Sequence, residues 1–127
     1  MTPAARLAAA AELLAAIGAA ATPAEQHVGS YFRNRRYAGS KDRRWVTEFV
    51  YRALRRQGEL DAVSLAAGLE VSPRSHCLLS LILFEDVAVE ALAAGWFGGA
   101  HGLDDLTPEE AAALEKAAEI DLESLPL

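Results

Sequence analysis

Four of the five prolines directly follow a hydroxyl residue, as Thr2-Pro3, Thr22-Pro23, Ser72-Pro73 and Thr107-Pro108. This pairing constrains the fold more than any other feature of the chain. It puts a side-chain oxygen at the N-cap of a helix and places the residue without an N–H at the first helical position, where the donor has no partner anyway. Thr22 with Glu25 and Thr107 with Glu110 have the spacing of a capping box. Gly18, Gly58, Gly68 and Gly95 are expected to stop helices by taking the left-handed conformation. Between these marks the sequence predicts helices near 3–17, 23–36, 41–57, 59–67, 73–84, 87–94 and 108–118, and no strand. The fold class expected is all-α, a compact bundle of about six to seven helices.

A chain of 127 residues makes one domain, long enough to bury roughly two-thirds of its unfolded surface. Alanine supplies 27 of those residues, which favours helix but offers little volume. The core is therefore expected from larger side chains: Leu14, Ile17, Val28, Phe32, Val46, Phe49, Val50, Leu54, Leu78, Leu79, Ile82 and Leu83. The helix over 73–84 is apolar nearly all round and is expected at the centre. The domain spans 1–119, and 120–127 reads as a tail or the start of a linker.

Arg6 followed by an apolar run ending "IGAAA" imitates a secretory signal, but Glu12 interrupts it and Leu7, Leu14 and Ile17 repeat at helical spacing. The run "CLLSLILF" is far shorter than the roughly 20 apolar residues a membrane span needs. A single cysteine, Cys77, allows no internal disulfide and no multi-cysteine zinc site, so a soluble, cytoplasmic protein with no membrane partner is expected.

The net charge is −6, yet residues 33–56, "RNRRYAGSKDRRWVTEFVYRALRR", hold nine basic and two acidic residues, a local charge of +7 against −13 elsewhere. On a helical wheel at about 100° per residue with Lys41 at zero, Val46, Phe49, Val50, Ala53 and Leu54 share one arc. Lys41, Arg44, Arg52, Arg55 and Arg56 fall opposite, with Glu48 spaced to pair with Arg52. Arg33, Arg35 and Arg36 lie a short turn away. Two readings compete: a solvated face paired with the acidic remainder, or a surface for a polyanion. The local excess of cations favours the second, and arginine suits bidentate phosphate contact. The expected RNA-binding residues are Arg33, Arg35, Arg36, Lys41, Arg44, Arg52, Arg55 and Arg56. Arg43 points to the core side of the wheel and is expected to be held by a carboxylate or backbone carbonyls. Trp45 and Tyr51 are expected to pack rather than stack on bases.

No catalytic constellation is visible. His76 and Cys77 are adjacent on a helix, about 100° apart, which does not suit a nucleophile and its base. His27 and His101 lack ligand-spaced companions, and "GWFGGAHG" lacks the spacing and preceding strand of a phosphate loop. Catalytic, cofactor-binding and metal-ligating residues are expected to be absent.

Over "YAGSKDRRWVTEFVYRALRR" the chain resembles the N-terminal domain of the bacterial Sun/Fmu rRNA methyltransferases. Their motif has an Asp-Arg pair, a core stretch, a tyrosine and a closing Leu-Arg. Asp42-Arg43, Val46, Phe49, Val50, Tyr51, Leu54 and Arg55 match it in order. "MTPAARL" and "RSHCLLSLILFED" are similar to alphaproteobacterial members. The family often has glycine after the tyrosine, where Arg52 stands here. The resemblance implies the helical fold of the antitermination factor NusB and a part in binding RNA, with 16S rRNA as partner. In full-length members this domain precedes a Rossmann-like domain that binds S-adenosylmethionine and methylates cytosine C5 through a cysteine. This chain has no glycine-rich cofactor loop and neither the Pro-Cys nor the Thr-Cys dipeptide, so no catalytic residue carries over. No cofactor is expected in this chain, only in a catalytic domain beyond it, which would also be its partner. Leu127 then reads as a truncation at a domain border. The alternatives are a free-standing NusB-like RNA-binding or antitermination-type protein, and a protein-docking module using Trp96, Phe97 and the tail.

Overall fold

The computed structural model describes residues 1–125. Seven α-helices follow one another: α1 Pro3–Ala19, α2 Ala24–Arg33, α3 Ser40–Arg55, α4 Gln57–Ala67, α5 Pro73–Phe84, α6 Val89–Gly95 and α7 Pro108–Ala118. A 3₁₀ turn at Leu122–Ser124 closes the described chain, and no strand occurs among the described residues. The expected all-helical bundle is the observed fold.

Three of the four hydroxyl–proline pairs act as expected. The hydroxyl oxygens of Thr2, Ser72 and Thr107 accept hydrogen bonds from the backbone N–H of Ala5, Ser75 and Glu110. Glu110 also returns a carboxylate oxygen to the N–H of Thr107, completing that capping box. The box expected at Thr22 and Glu25 does not form. Pro23 is extended at ψ 144° and takes the cap position itself, so the helix starts one residue later and Thr22 lies out of reach.

Of the four expected glycine stops, Gly68 is left-handed at φ +82°, with Leu69 N–H bonded back to Ser64 O at 2.8 Å. Gly18 lies inside the last turn of α1, and Gly58 lies in the first turn of α4. The break between α3 and α4 falls at Arg56 instead, at φ −109° and ψ 23°. Gly95 ends α6 without a positive φ, the turn being made by Trp96. Helix α2 stops at Arg33 rather than 36, because Arg35 N–H bonds Phe32 O and Ala38 N–H bonds Arg35 O, each three residues back.

Helix α5 is central. It packs against α1, α3, α4 and α7, and every residue from Ser75 to Ile82 is buried. The hydroxyls of Ser80 and Ser64, both fully buried, donate to the carbonyls four residues before them, so neither is left unpaired. Around α5 the alanines of α1 let its neighbours approach closely, and Ala9 and Ala10 are completely buried beside Leu7 and Leu13. Of the expected core residues, Ile17, Val28, Leu54 and Leu83 are only partly buried at its margin. In the expected tail, Ile120, Leu122 and Leu125 are partly buried against the core. Pro126 and Leu127 lie outside the described residues.

Candidate nucleic-acid interface

The basic segment is positioned by a carboxylate that wheel reasoning passes over. Asp42 sits in the first turn of α3 and is buried. Its Oδ2 accepts from Gly39 N–H at 3.1 Å and from the Met1 amino group at 3.0 Å, and its Oδ1 accepts from Arg6 Nε at 2.7 Å. Burial alone pushes this carboxyl up, but the hydrogen bonds from the Met1 ammonium and Arg6 outweigh it and bring the pKa down to about 2. Asp42 thus caps α3, ties it to α1, and fixes how the turn after α2 delivers Arg33 and Arg36 to the side of α3.

The expected binding residues separate into two groups. Arg35 lies 3.6 Å from Glu12 and 3.7 Å over the Tyr31 ring. Arg52 pairs with Glu85 at 3.1 Å between the rings of Phe49 and Phe84, and not with Glu48 as its spacing suggested. Arg56 grips Glu59 through two bonds of 3.0 and 2.6 Å and covers Phe84 at 4.0 Å. The Arg56 hydrogen bonds hold the Glu59 carboxyl below its ordinary range. These three arginines join parts of the fold together, and their carboxylates come from other helices or the next turn, where a count along α3 does not find them.

Arg36, Lys41, Arg44 and Arg55 are exposed and form no ion pair among the described residues, and Arg33 donates only to the Ser30 hydroxyl, at 2.9 Å. Arg43 joins this second group, against expectation. It is exposed, its guanidinium has no carboxylate or carbonyl partner among the described residues, and it lies 6.0 Å from the Phe32 ring centre. It lies on the flank of α3 that faces α2, beside Val28, Phe32 and Arg33, without being buried there. What remains is a concavity of about 720 Å³ rimmed by Arg33, Arg36 and Arg43, with Val28, Phe32 and Thr47 among its walls.

Trp45 packs as expected, stacked on Phe49 at 4.7 Å and tilted on Trp96 at 5.7 Å, with Arg6 over its ring at 5.7 Å. Trp96 and Phe97 pack on the core. Cys77 is fully buried, and burial pushes its thiol up to about 12. Among the described residues no group of three or more His, Cys, Asp or Glu is placed to hold a metal ion, and no helix is long and apolar enough to cross a membrane.

Sequence reasoning missed two ties. Arg74 donates two hydrogen bonds to the Glu110 carboxylate, at 2.8 and 3.0 Å, joining α5 to α7, and His76 Nε2 meets Asp61 Oδ1 at 2.7 Å, joining α5 to α4. Neither has a local signal, since the partners stand 36 and 15 residues apart. Comparison with protein-family models, with curated proteins and with solved structures found no match.

Proposed function

We propose that this chain binds RNA, without catalysing a reaction itself, through the face that carries Arg33, Arg36, Lys41, Arg43, Arg44 and Arg55. One observation carries the reading. In a protein of net charge −6, these cations come from one continuous stretch running from the end of α2 through α3, all are exposed, and none has a carboxylate partner among the described residues. Free cations gathered against a prevailing negative charge are the electrostatic footprint of a polyanion site. Arg35, Arg52 and Arg56, already engaged by Glu12, Glu85 and Glu59, serve the fold that presents that face.

The finer assignment rests on the Sun/Fmu resemblance. On it the chain is the RNA-binding domain of an rRNA cytosine-C5 methyltransferase, the polyanion is 16S rRNA, and S-adenosylmethionine belongs to a separate catalytic domain. The docking alternative has less support, because Trp96, Phe97, Ile120, Leu122 and Leu125 are each partly buried against the core.

The test is fluorescence anisotropy of a labelled 16S rRNA fragment across a salt series. Binding through four to six phosphate contacts gives a log–log slope of about −3 to −4 at roughly −0.7 per contact. A flat salt response, or no binding at low salt, contradicts the proposal.

A further inference from the structure

The basic face is not uniformly convex. Lys41, Arg44 and Arg55 lie along α3, whereas Arg33, Arg36 and Arg43 surround the concavity between α2 and α3. Other concavities that hold an arginine also hold a carboxylate: Arg35 shares one with Glu12, and Arg74 shares one with Glu109 and Glu110. Here three guanidiniums meet no carboxylate among the described residues, in a chain with 18 acidic residues. The interior is not polar throughout. Val28 and Phe32 provide apolar wall, and the Thr47 hydroxyl, on the half-buried flank of α3, makes no hydrogen bond among the described residues.

A phosphate alone needs cations but no apolar wall and little volume. Duplex RNA offers phosphates on a convex surface and keeps its bases stacked inside. A space of about 720 Å³ with cations on its rim and carbon on its walls matches a group that is anionic at its edges and flat and apolar in its middle. An unpaired nucleotide with its flanking phosphates has that form, since a base freed from its stack can lie on a guanidinium plane. We infer that the concavity between α2 and α3 seats one unpaired nucleotide of a single strand, with its phosphates on Arg33 and Arg36 and its base between Arg43 and the Val28 wall. The inference rests on the proposed RNA binding and adds to it a preference for single-stranded over paired RNA.

Gly29 allows a test that removes no cation. It lines the same concavity on a helical stretch of α2, and a Cβ added there meets only the guanidinium end of Arg33, at 3.5 Å. Gly29→Leu therefore fills the site while favouring the helix. Anisotropy is measured at one salt concentration with a labelled single-stranded oligouridine and with an RNA hairpin of equal phosphate count. Thr47→Leu fills the site from α3 as an independent variant, and circular dichroism confirms the helix content of each. The parent is expected to bind the single strand about tenfold more tightly than the hairpin. Either filling variant is expected to remove most of that difference while leaving hairpin binding unchanged. Equal affinity of the parent for both RNAs, or a preference that survives in folded Gly29→Leu and Thr47→Leu, overturns the inference and leaves RNA binding by the basic face standing. Binding of neither RNA overturns both.

Discussion

Arg6 Nε donates to Asp42 Oδ1 at 2.7 Å across 36 residues of sequence, and through that bond the first turns of α1 and α3 are held together. The same carboxylate caps the entry to the basic helix, so the fold and the presentation of the cations share one residue.

Replacing Asp42 by Ala is accordingly expected to destabilise the protein by about 2–4 kcal/mol, since it leaves the Arg6 and Gly39 donors without their acceptor. Urea titration measures the loss. The pH dependence has a definite sign. The folded carboxyl, at about 2, lies below its ordinary value of 3.8, so its contribution is present above about pH 4 and lost as the pH falls towards 2. Parent and Asp42→Ala stabilities should converge over that window, and a constant gap between them would contradict the arrangement.

Arg44 and Arg55 are predicted to act on binding and not on folding. Converting both to Gln should flatten the salt slope by about 1.4 units and leave the melting temperature within a degree or two. Arg56→Gln is expected to do the reverse. It removes the Glu59 pair and the Phe84 contact, at a cost of about 1 kcal/mol, without changing the salt slope. Anisotropy and thermal melts on the same three proteins separate the two roles.

Two glycines should respond with opposite signs to alanine. Gly68 is held at φ +82°, so Gly68→Ala is expected to cost about 1 kcal/mol although the space around it is open. Gly58 sits in the first turn of α4 with nothing near a new methyl group, and Gly58→Ala should stabilise by roughly 0.5–1 kcal/mol. Denaturant midpoints decide both, and a shift of the same sign at the two positions would refute the helix boundaries.

Cys77 should be inert in the native protein. Its thiol is fully buried and pushed up to about 12, so thiolate is scarce near neutrality and no reagent reaches it. Labelling with a thiol-reactive dye at pH 8 is expected to proceed only in denaturant, and native labelling within minutes would contradict the burial.

Much of the fold could be read in the chain because its signals are local. Thr2, Ser72 and Thr107 announce their helices within four residues, and the unbroken apolar character of α5 marks it as central. The misreadings came where one residue's geometry decided the outcome. Pro23 took the cap that Thr22 was expected to hold, and Arg56, rather than Gly58, broke α3 from α4. The site was legible as a charge excess and less so as a set of residues. Whether an arginine is free depends on carboxylates brought in by the fold: Glu85 reaches Arg52 and Glu12 reaches Arg35, while none reaches Arg43 among the described residues. Such distances do not follow from spacing along one helix.

Gathering the unpaired cations in α3 and the end of α2, in a molecule with net charge −6, makes its charge uneven, and its encounters should therefore depend on orientation. Beyond a Debye length, about 8 Å at physiological salt, the charges are largely screened. Nearer than that, a polyanion should be drawn in by the cations of α2 and α3 and repelled by the acidic remainder. A second strand arriving from behind meets that repulsion, so the complex should stop at one strand per protein. The same polarity predicts behaviour on a column: despite its acidic isoelectric point, the protein should be retained on a phosphate-bearing matrix and released by modest salt.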